Sequence, residues 1–147
     1  MRTAPRNEFL TYRDWHRAAI GGEDVILCHS SALLHLQLFV GYMNDKTIDV
    51  YAKQKGFYEN INYRIVDTFD GIDAVRIGGL LCTSISQTVN DMLDDFDNTD
   101  EAALAEGLSR YYYEHNRNSF DGIHIKPENM EKFNYMREWA IEFFNTE

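Results

Sequence analysis

The stretch Gly78-Gly79-Leu80-Leu81-Cys82-Thr83-Ser84-Ile85-Ser86-Gln87-Thr88-Val89-Asn90-Asp91-Met92-Leu93 separates two kinds of pattern in this chain. Its first part is a glycine pair followed by a short apolar run, Leu80 to Cys82, of strand length. Its second part changes period. Ser84 and Gln87 have capping-box spacing, which satisfies the first orphan amides of a helix. Ile85, Val89, Met92, Leu93 and Phe96 then share one helical face.

Upstream of the glycine pair the pattern predicts strands over 47–52, 61–68 and 72–77. Ile48, Val50, Ile65, Val66, Val75 and Ile77 are β-branched and suit a pleated, half-buried surface. Asp70-Gly71 is a turn signal between the last two. Val25 to Cys28 is a further apolar run after Gly21-Gly22. Ser30 or Ser31 then stands where an N-cap would, before Ala32, Leu33, Leu36, Phe39 and Val40 at near-helical spacing, with Gly41 as a stop. Downstream, Asn98 and Glu101 repeat the cap logic before a stripe of Ala103, Leu104, Leu108, Tyr111 and Tyr112. Pro127 suits the first turn of a last helix with Met130, Phe133, Met136, Ala140, Phe143 and Phe144 on its apolar side.

Strands grouped before helices favour a mixed α/β (α+β) layer structure over a doubly wound parallel sheet. The expected fold is a small central sheet of about four to five strands, with an N-terminal helix and three C-terminal helices. With 147 residues, two prolines and no linker, the economical division is one domain. Within it, 1–20 is an extended or helical arm, 25–83 helix plus sheet, and 84–147 the helical part.

Hydrophobic residues make up 44% of the chain, enough for a packed core and too many for disorder. No apolar run reaches bilayer length, and no apolar segment follows the N-terminal arginines as in a secretory signal, so a cytoplasmic protein is expected. A net charge of −10 argues against direct DNA binding and against anionic membranes. Arg2, Arg6, Arg13 and Arg17 read as a solubilising, partly frayed start. Cys28 and Cys82, both in apolar surroundings, read as buried reduced thiols, and their proximity stays open.

Candidate chemistry is sparse. His29-Ser30-Ser31 is the most suggestive cluster, but no Gly-x-Ser-x-Gly elbow accompanies it, and a helix start explains it more simply. The five histidines lack metal spacing. The acid run Asp94 to Glu101, with Glu106 beyond, resembles a calcium loop, yet its sixth position is Asp100 where a glycine is needed. No metal and no cofactor is expected. Asp49 and Lys53 are the residues on which a degenerate nuclease or nucleotide-processing enzyme would rest. Tyr111, Tyr112 and Tyr113 point in different directions on a helix, so at least one ring is exposed as a candidate partner surface.

Two segments together carry a family resemblance. Val25-Ile26-Leu27-Cys28-His29-Ser30-Ser31-Ala32-Leu33 is similar to the strand–Ser-His-x-Ser-Ala–helix entry of abortive-infection antitoxins of the AbiEi family. Some fifty residues on, Gly78 to Ser84 and then Thr88-Val89-Asn90-Asp91-Met92-Leu93 resemble that family's apolar strand, Thr-Ser and Thr-(apolar)-x-Asp-(apolar)-Leu helix. The likeness spans roughly residues 20 to 115. Gln87 replaces the family's arginine, and His35 is followed by Leu36 where the family has glycine. The chain has no room before Val25 for the family's winged helix-turn-helix, so the resemblance is to the C-terminal antitoxin domain alone. It implies a non-enzymatic antitoxin-like or regulatory module of a bacterial or phage defence system, in protein contact with a nucleotidyltransferase-type toxin. His29, Ser30, Ser31, Thr83, Ser84 and Asp91 are then the expected binding residues, gathered at two helix starts on one sheet edge. A free-standing acidic protein inhibitor is a further alternative, and self-association stays open.

Overall fold

The computed structural model describes residues 11–39, 47–115 and 118–142. Along the chain these form α1 (Tyr12–Ile20), β1 (Val25–Leu27), α2 (His29–His35), β2 (Ile48–Ala52), β3 (Ile61–Ile65), β4 (Ala74–Ile77), β5 (Leu80–Thr83), α3 (Ile85–Asp94), α4 (Glu101–Arg110) and α5 (Met130–Glu142). The mixed α+β class expected from the sequence is what the chain adopts: one five-stranded sheet, a helix before it and three after it. No helix among the described residues is long and apolar enough to cross a membrane.

The strands run in the order β3-β2-β1-β5-β4. β1 is central, antiparallel to β2 and parallel to β5 through Leu27 and Cys82. β2 and β3 are parallel, with Asp49 beside Asn62 and Tyr51 beside Arg64. Alternation sends Ile48, Val50 and Ala52 into a core with Trp15, Ala19 and Ile20 of α1, Ala32 of α2, and Leu27 and Cys82. A second core joins Leu33 and Leu34 of α2 to Val89, Met92 and Leu93 of α3, Leu104 and Leu108 of α4, and Phe133 and Met136 of α5. Contributing to both, α2 is buried on nearly every side, with only Ser30 partly exposed.

Several local expectations change. Asp70-Gly71 does turn the chain, with Gly71 at φ 84, but β3 and β4 lie at opposite sheet edges and form no hairpin. The tight hairpin is β4–β5, closed by Gly78 and Gly79 at φ 60 and 83, which a two-residue turn of this hand requires. α2 stops at His35. Gln37 takes a left-handed φ of 64, while Gln37 N–H donates to Leu34 O and Leu38 N–H to Leu33 O at 2.9 Å, the Schellman arrangement. The expected stop at Gly41, with Val40, lies outside the described residues.

Asp100, not Asn98, caps α4 by accepting from Ala103 N–H at 3.0 Å. From Tyr12 onward the first segment is a packed helix with Trp15, His16, Ala19 and Ile20 buried, and residues 1–10 lie outside the described ones. Arg13 Nε donates to His35 O at 2.8 Å, and Arg17 pairs with Asp14. Arg2 and Arg6 lie outside the described residues, as do Phe143 and Phe144 of the expected last stripe.

Candidate functional site

Because β1 and β5 are parallel neighbours, α2 and α3 leave the sheet at the same end. The residues marked in the sequence at the two junctions are therefore close in the fold. Their hydroxyls have structural duties. Ser31 Oγ does not cap α2; it accepts from Asp49 N–H at 2.8 Å and ties the helix to β2. The cap position of α2 is Cys28, which supplies no side-chain bond. Thr88 Oγ1 donates to Ser84 O at 2.7 Å and lies 2.7 Å from Thr83 Oγ1. Ser84 caps α3 through Gln87 N–H at 3.1 Å. Ser30 lies half-buried in the first turn of α2.

His29 differs from these. It is 7% exposed, and its φ of 54 falls in the left-handed region that L side chains rarely adopt. Its ring lies 6.0 Å from that of Tyr51, and its Nδ1 is buried with no hydrogen-bond partner. Burial, helped by the nearby Arg64 charge, lowers its pKa to about 4, so the imidazole is neutral at pH 7.

The polar side of β2 and β3 completes the group. Asp49 and Tyr51 alternate away from the α1 core, with Asn62 and Arg64 beside them. Asn62 Nδ2 donates to Asp49 Oδ1 at 3.1 Å. Arg64 stands between two carboxylates, 3.8 Å from Asp49 and 3.7 Å from Asp95, while its Nε is buried with no partner.

Across from them α3 presents Gln87 and Asp91, spaced by four so that they share one helix face, and Asp95 stands at its C-cap. Gln87 Nε2 donates to Asp91 Oδ1 at 2.9 Å. The Tyr51 hydroxyl approaches the same carboxyl. Burial pushes the Asp91 carboxyl up, against the favourable approach of Gln87 and the Tyr51 hydroxyl. Burial and the facing Asp91 in turn push Tyr51 up, so its hydroxyl stays protonated. Burial raises the Cys28 thiol far above its ordinary value, and the Cys82 thiol to about 12, which leaves both unreactive as nucleophiles.

The chain matches no known family, curated protein or solved structure. What the site can do follows from its own groups. It gathers a neutral imidazole, a phenol facing a carboxyl, and a guanidinium between two carboxylates. The Ser31 and Ser84 hydroxyls accept from backbone amides, and that of Thr88 donates to a backbone carbonyl.

Of the residues singled out in the sequence, His29 and Asp91 belong to this group, while Ser31, Thr83 and Ser84 frame it. Tyr51 and Arg64 escaped sequence reading. Their signal was the polar half of each alternating strand, but only the register sets Tyr51 beside Arg64.

Asp49 and Lys53 do not meet as a nuclease pair. Lys53 Nζ lies 3.1 Å from Asp24 and 4.8 Å from the Phe69 ring centroid. In the calcium-like run, Asp94 accepts from Lys126 at 2.7 Å, Asp95 faces Arg64 and Asp100 caps α4. Among the described residues no three His, Cys, Asp or Glu side chains are grouped to hold a metal ion.

The tyrosine trio follows α4 in a single π turn, Tyr111–His115. Tyr111 OH donates to Asp121 O, and Tyr113 OH to Ile141 O. Tyr112 packs 4.9 Å from Phe120 between ring centroids. Two of the hydroxyls thus tether neighbouring segments, and Tyr113 leaves 38% of its surface exposed.

Proposed function

We propose that this protein is a cytoplasmic, non-enzymatic binding module, antitoxin-like, that opposes a nucleotidyltransferase-type toxin by direct protein contact. The observation that carries this reading is the outer face of α5. Glu131, Tyr135, Glu138 and Glu142 fall on one stripe of the helix, with Trp139 beside it. Tyr135 is 56% exposed and Trp139 36%. A shallow groove of about 680 Å³ runs between Tyr135, Glu138, Trp139, Ile141 and Glu142.

The two cations of α5 turn away from this stripe. Lys132 Nζ donates to Leu93 O at 3.1 Å, and the Arg137 guanidinium lies 5.6 Å from the Phe120 ring centroid. What remains is an acidic face with two large rings, complementary to a basic protein surface carrying apolar anchors. Exposed aromatics of this kind are where binding energy concentrates in protein interfaces.

The separation of Asp49 from Lys53 also supports binding over hydrolysis. A free-standing acidic inhibitor would use the same face and would differ in having no toxic neighbour gene.

The test is co-expression with the product of the neighbouring gene, scoring growth rescue and co-purification. Rescue and a stable complex are expected, with Trp139→Ala weakening the complex by about ten-fold or more, in the range of an aromatic interface anchor. A harmless neighbour that fails to co-purify would remove the reading.

A further inference from the structure

α5 carries apolar residues on two sides. Phe133, Met136 and Ala140 enter the core, while Tyr135 and Trp139 stand on the other side at 56% and 36% exposure. A helix that only covers a core has a polar outer face, so two large rings there call for an explanation. The Phe96 ring braces Tyr135 edge-on at 6.4 Å, and near the end of the helix Tyr113 OH is tied to Ile141 O. Rings held in this way lose little side-chain freedom on binding. The acids beside them are unused. Among the described residues Glu131, Glu138 and Glu142 form no ion pair, whereas Glu106 and Glu114 share Arg110.

We propose that the outer face of α5 receives one basic amphipathic helix of the partner, packed along α5 with lysine or arginine over the glutamates and apolar side chains over Tyr135 and Trp139. This names the partner's element and rests on the reading of α5 as the contact face.

The backbone decides between a helix and an extended segment. Along α5 the N–H and C=O groups are bonded within the helix, so its outer face offers side chains only. An extended segment gains its affinity from main-chain bonds to a sheet edge, and α5 has none to give. A helix arrives with its own backbone already bonded.

The spacing agrees. Glu131, Tyr135, Glu138 and Glu142 follow one another at steps of four, three and four. That 3.5-residue repeat keeps a seam turned toward a second helix crossing at about 20°. The 13 residues of α5 span about 20 Å, the length of nearly four turns of a partner.

Charge sets the sign of the partner. Acidic seam positions repel an acidic helix, and a net charge of −10 disfavours a second copy of this chain. Nucleic acid and anionic membranes are repelled for the same reason.

The test uses the full chain and calorimetric titration with a peptide of about 18 residues, leucine and lysine patterned to give a helix with one apolar face. A peptide of the same composition, shuffled so that no apolar face forms, is the control. The patterned peptide is expected to bind about ten-fold more tightly than the shuffled one, or better. Trp139→Ala and Glu138→Lys should each weaken it by about ten-fold or more. Asp67→Lys, at an exposed acid beyond β3, should change it by about two-fold or less. The proposal is overturned if the two peptides bind alike, since net charge alone would then hold them. It is also overturned if neither binds at millimolar concentration, or if both α5 variants bind as the parent does. Its failure is distinct from that of the toxin reading. Binding of the patterned peptide beside a harmless neighbour gene keeps the helix site and removes the toxin. A rescuing neighbour whose complex tolerates both α5 variants keeps the toxin and removes the helix site.

Discussion

Asp91 accepts from Gln87 and is approached by the Tyr51 hydroxyl, yet burial outweighs both and disfavours its charge. Its folded pKa lies above the ordinary 3.8. A carboxyl raised in this way contributes stability below its unfolded pKa and loses it as pH rises through the folded value. At pH 7 its charge is therefore a net burden, and Asp91→Asn is expected to raise the unfolding midpoint at pH 7 and to change it less at pH 4. Urea unfolding at both pH values checks this; a lowered midpoint at pH 7 would show that the carboxylate supports the fold. A residue that destabilises where it stands is the pattern expected of function. Gly56 shows the opposite constraint. A methyl group there would collide with the Tyr63 ring, so Gly56→Ala should cost about 1–3 kcal/mol, as overpacking does. At this scale the sequence was partly legible. His29 stood out because it lay at a strand-to-helix switch, and Asp91 because it fell in the Thr-(apolar)-x-Asp-(apolar)-Leu pattern of the resemblance. Tyr51 and Arg64 did not, since a polar residue on an alternating strand is ordinary until its neighbour strand is known.

Elements whose signals are local were readable, and those fixed by distant partners were not. The start of α3 follows from Ser84 capping Gln87 N–H, a contact three residues long. The order β3-β2-β1-β5-β4 follows from pairings far apart in sequence, so Asp70-Gly71 gave no hint that its flanking strands end at opposite edges. The Gly78-Gly79 pair read as an interruption because both strands beside it are short. Its positive φ angles make it the β4–β5 turn. Nothing lies near the position of an added Cβ at Gly79, so Gly79→Ala tests backbone conformation alone. It should cost about 1–2 kcal/mol, the penalty for a left-handed alanine, and Gly79→Asn should cost less because asparagine tolerates that region. Thermal unfolding of the two variants separates these outcomes, and equal losses would mean that the turn has rearranged.

Across the whole molecule, three buried histidines, His16, His29 and His35, shape the response to acid. His16 Nδ1 lies 3.1 Å from His35 Nδ1, and His35 Nε2 lies 2.7 Å from Ile77 O. The carbonyl can only accept, so His35 carries its proton on Nε2 and its Nδ1 accepts from His16. His16 Nε2 is then left bare and buried. Burial, and secondarily His35, lowers the His16 pKa from 6.5 to about 3; burial and Arg64 lower that of His29 to about 4; burial also lowers that of His35, against its bond to Ile77 O. Groups neutral in the fold and protonated when unfolded give their full stability above pH 6.5. Each loses roughly 1.4 kcal/mol per pH unit as pH falls below that, until its folded pKa is reached. Between about pH 6 and 4 His16 and His29 together remove roughly 5 kcal/mol, comparable with the whole stability of a small domain. The net charge of −10 and the raised Asp91 carboxyl act the other way, since both are relieved as protons bind. The histidine contribution is therefore measured as a difference between parent and variant. His16→Gln removes one titrating group, so its stability should fall less steeply than the parent's by roughly 1.4 kcal/mol per pH unit between about pH 6 and 4. Urea midpoints followed by the fluorescence of Trp15, whose ring lies 5.6 Å from that of His16, provide the readout. Parallel curves for parent and variant would place the acid sensitivity outside the α1–α2 histidine pair.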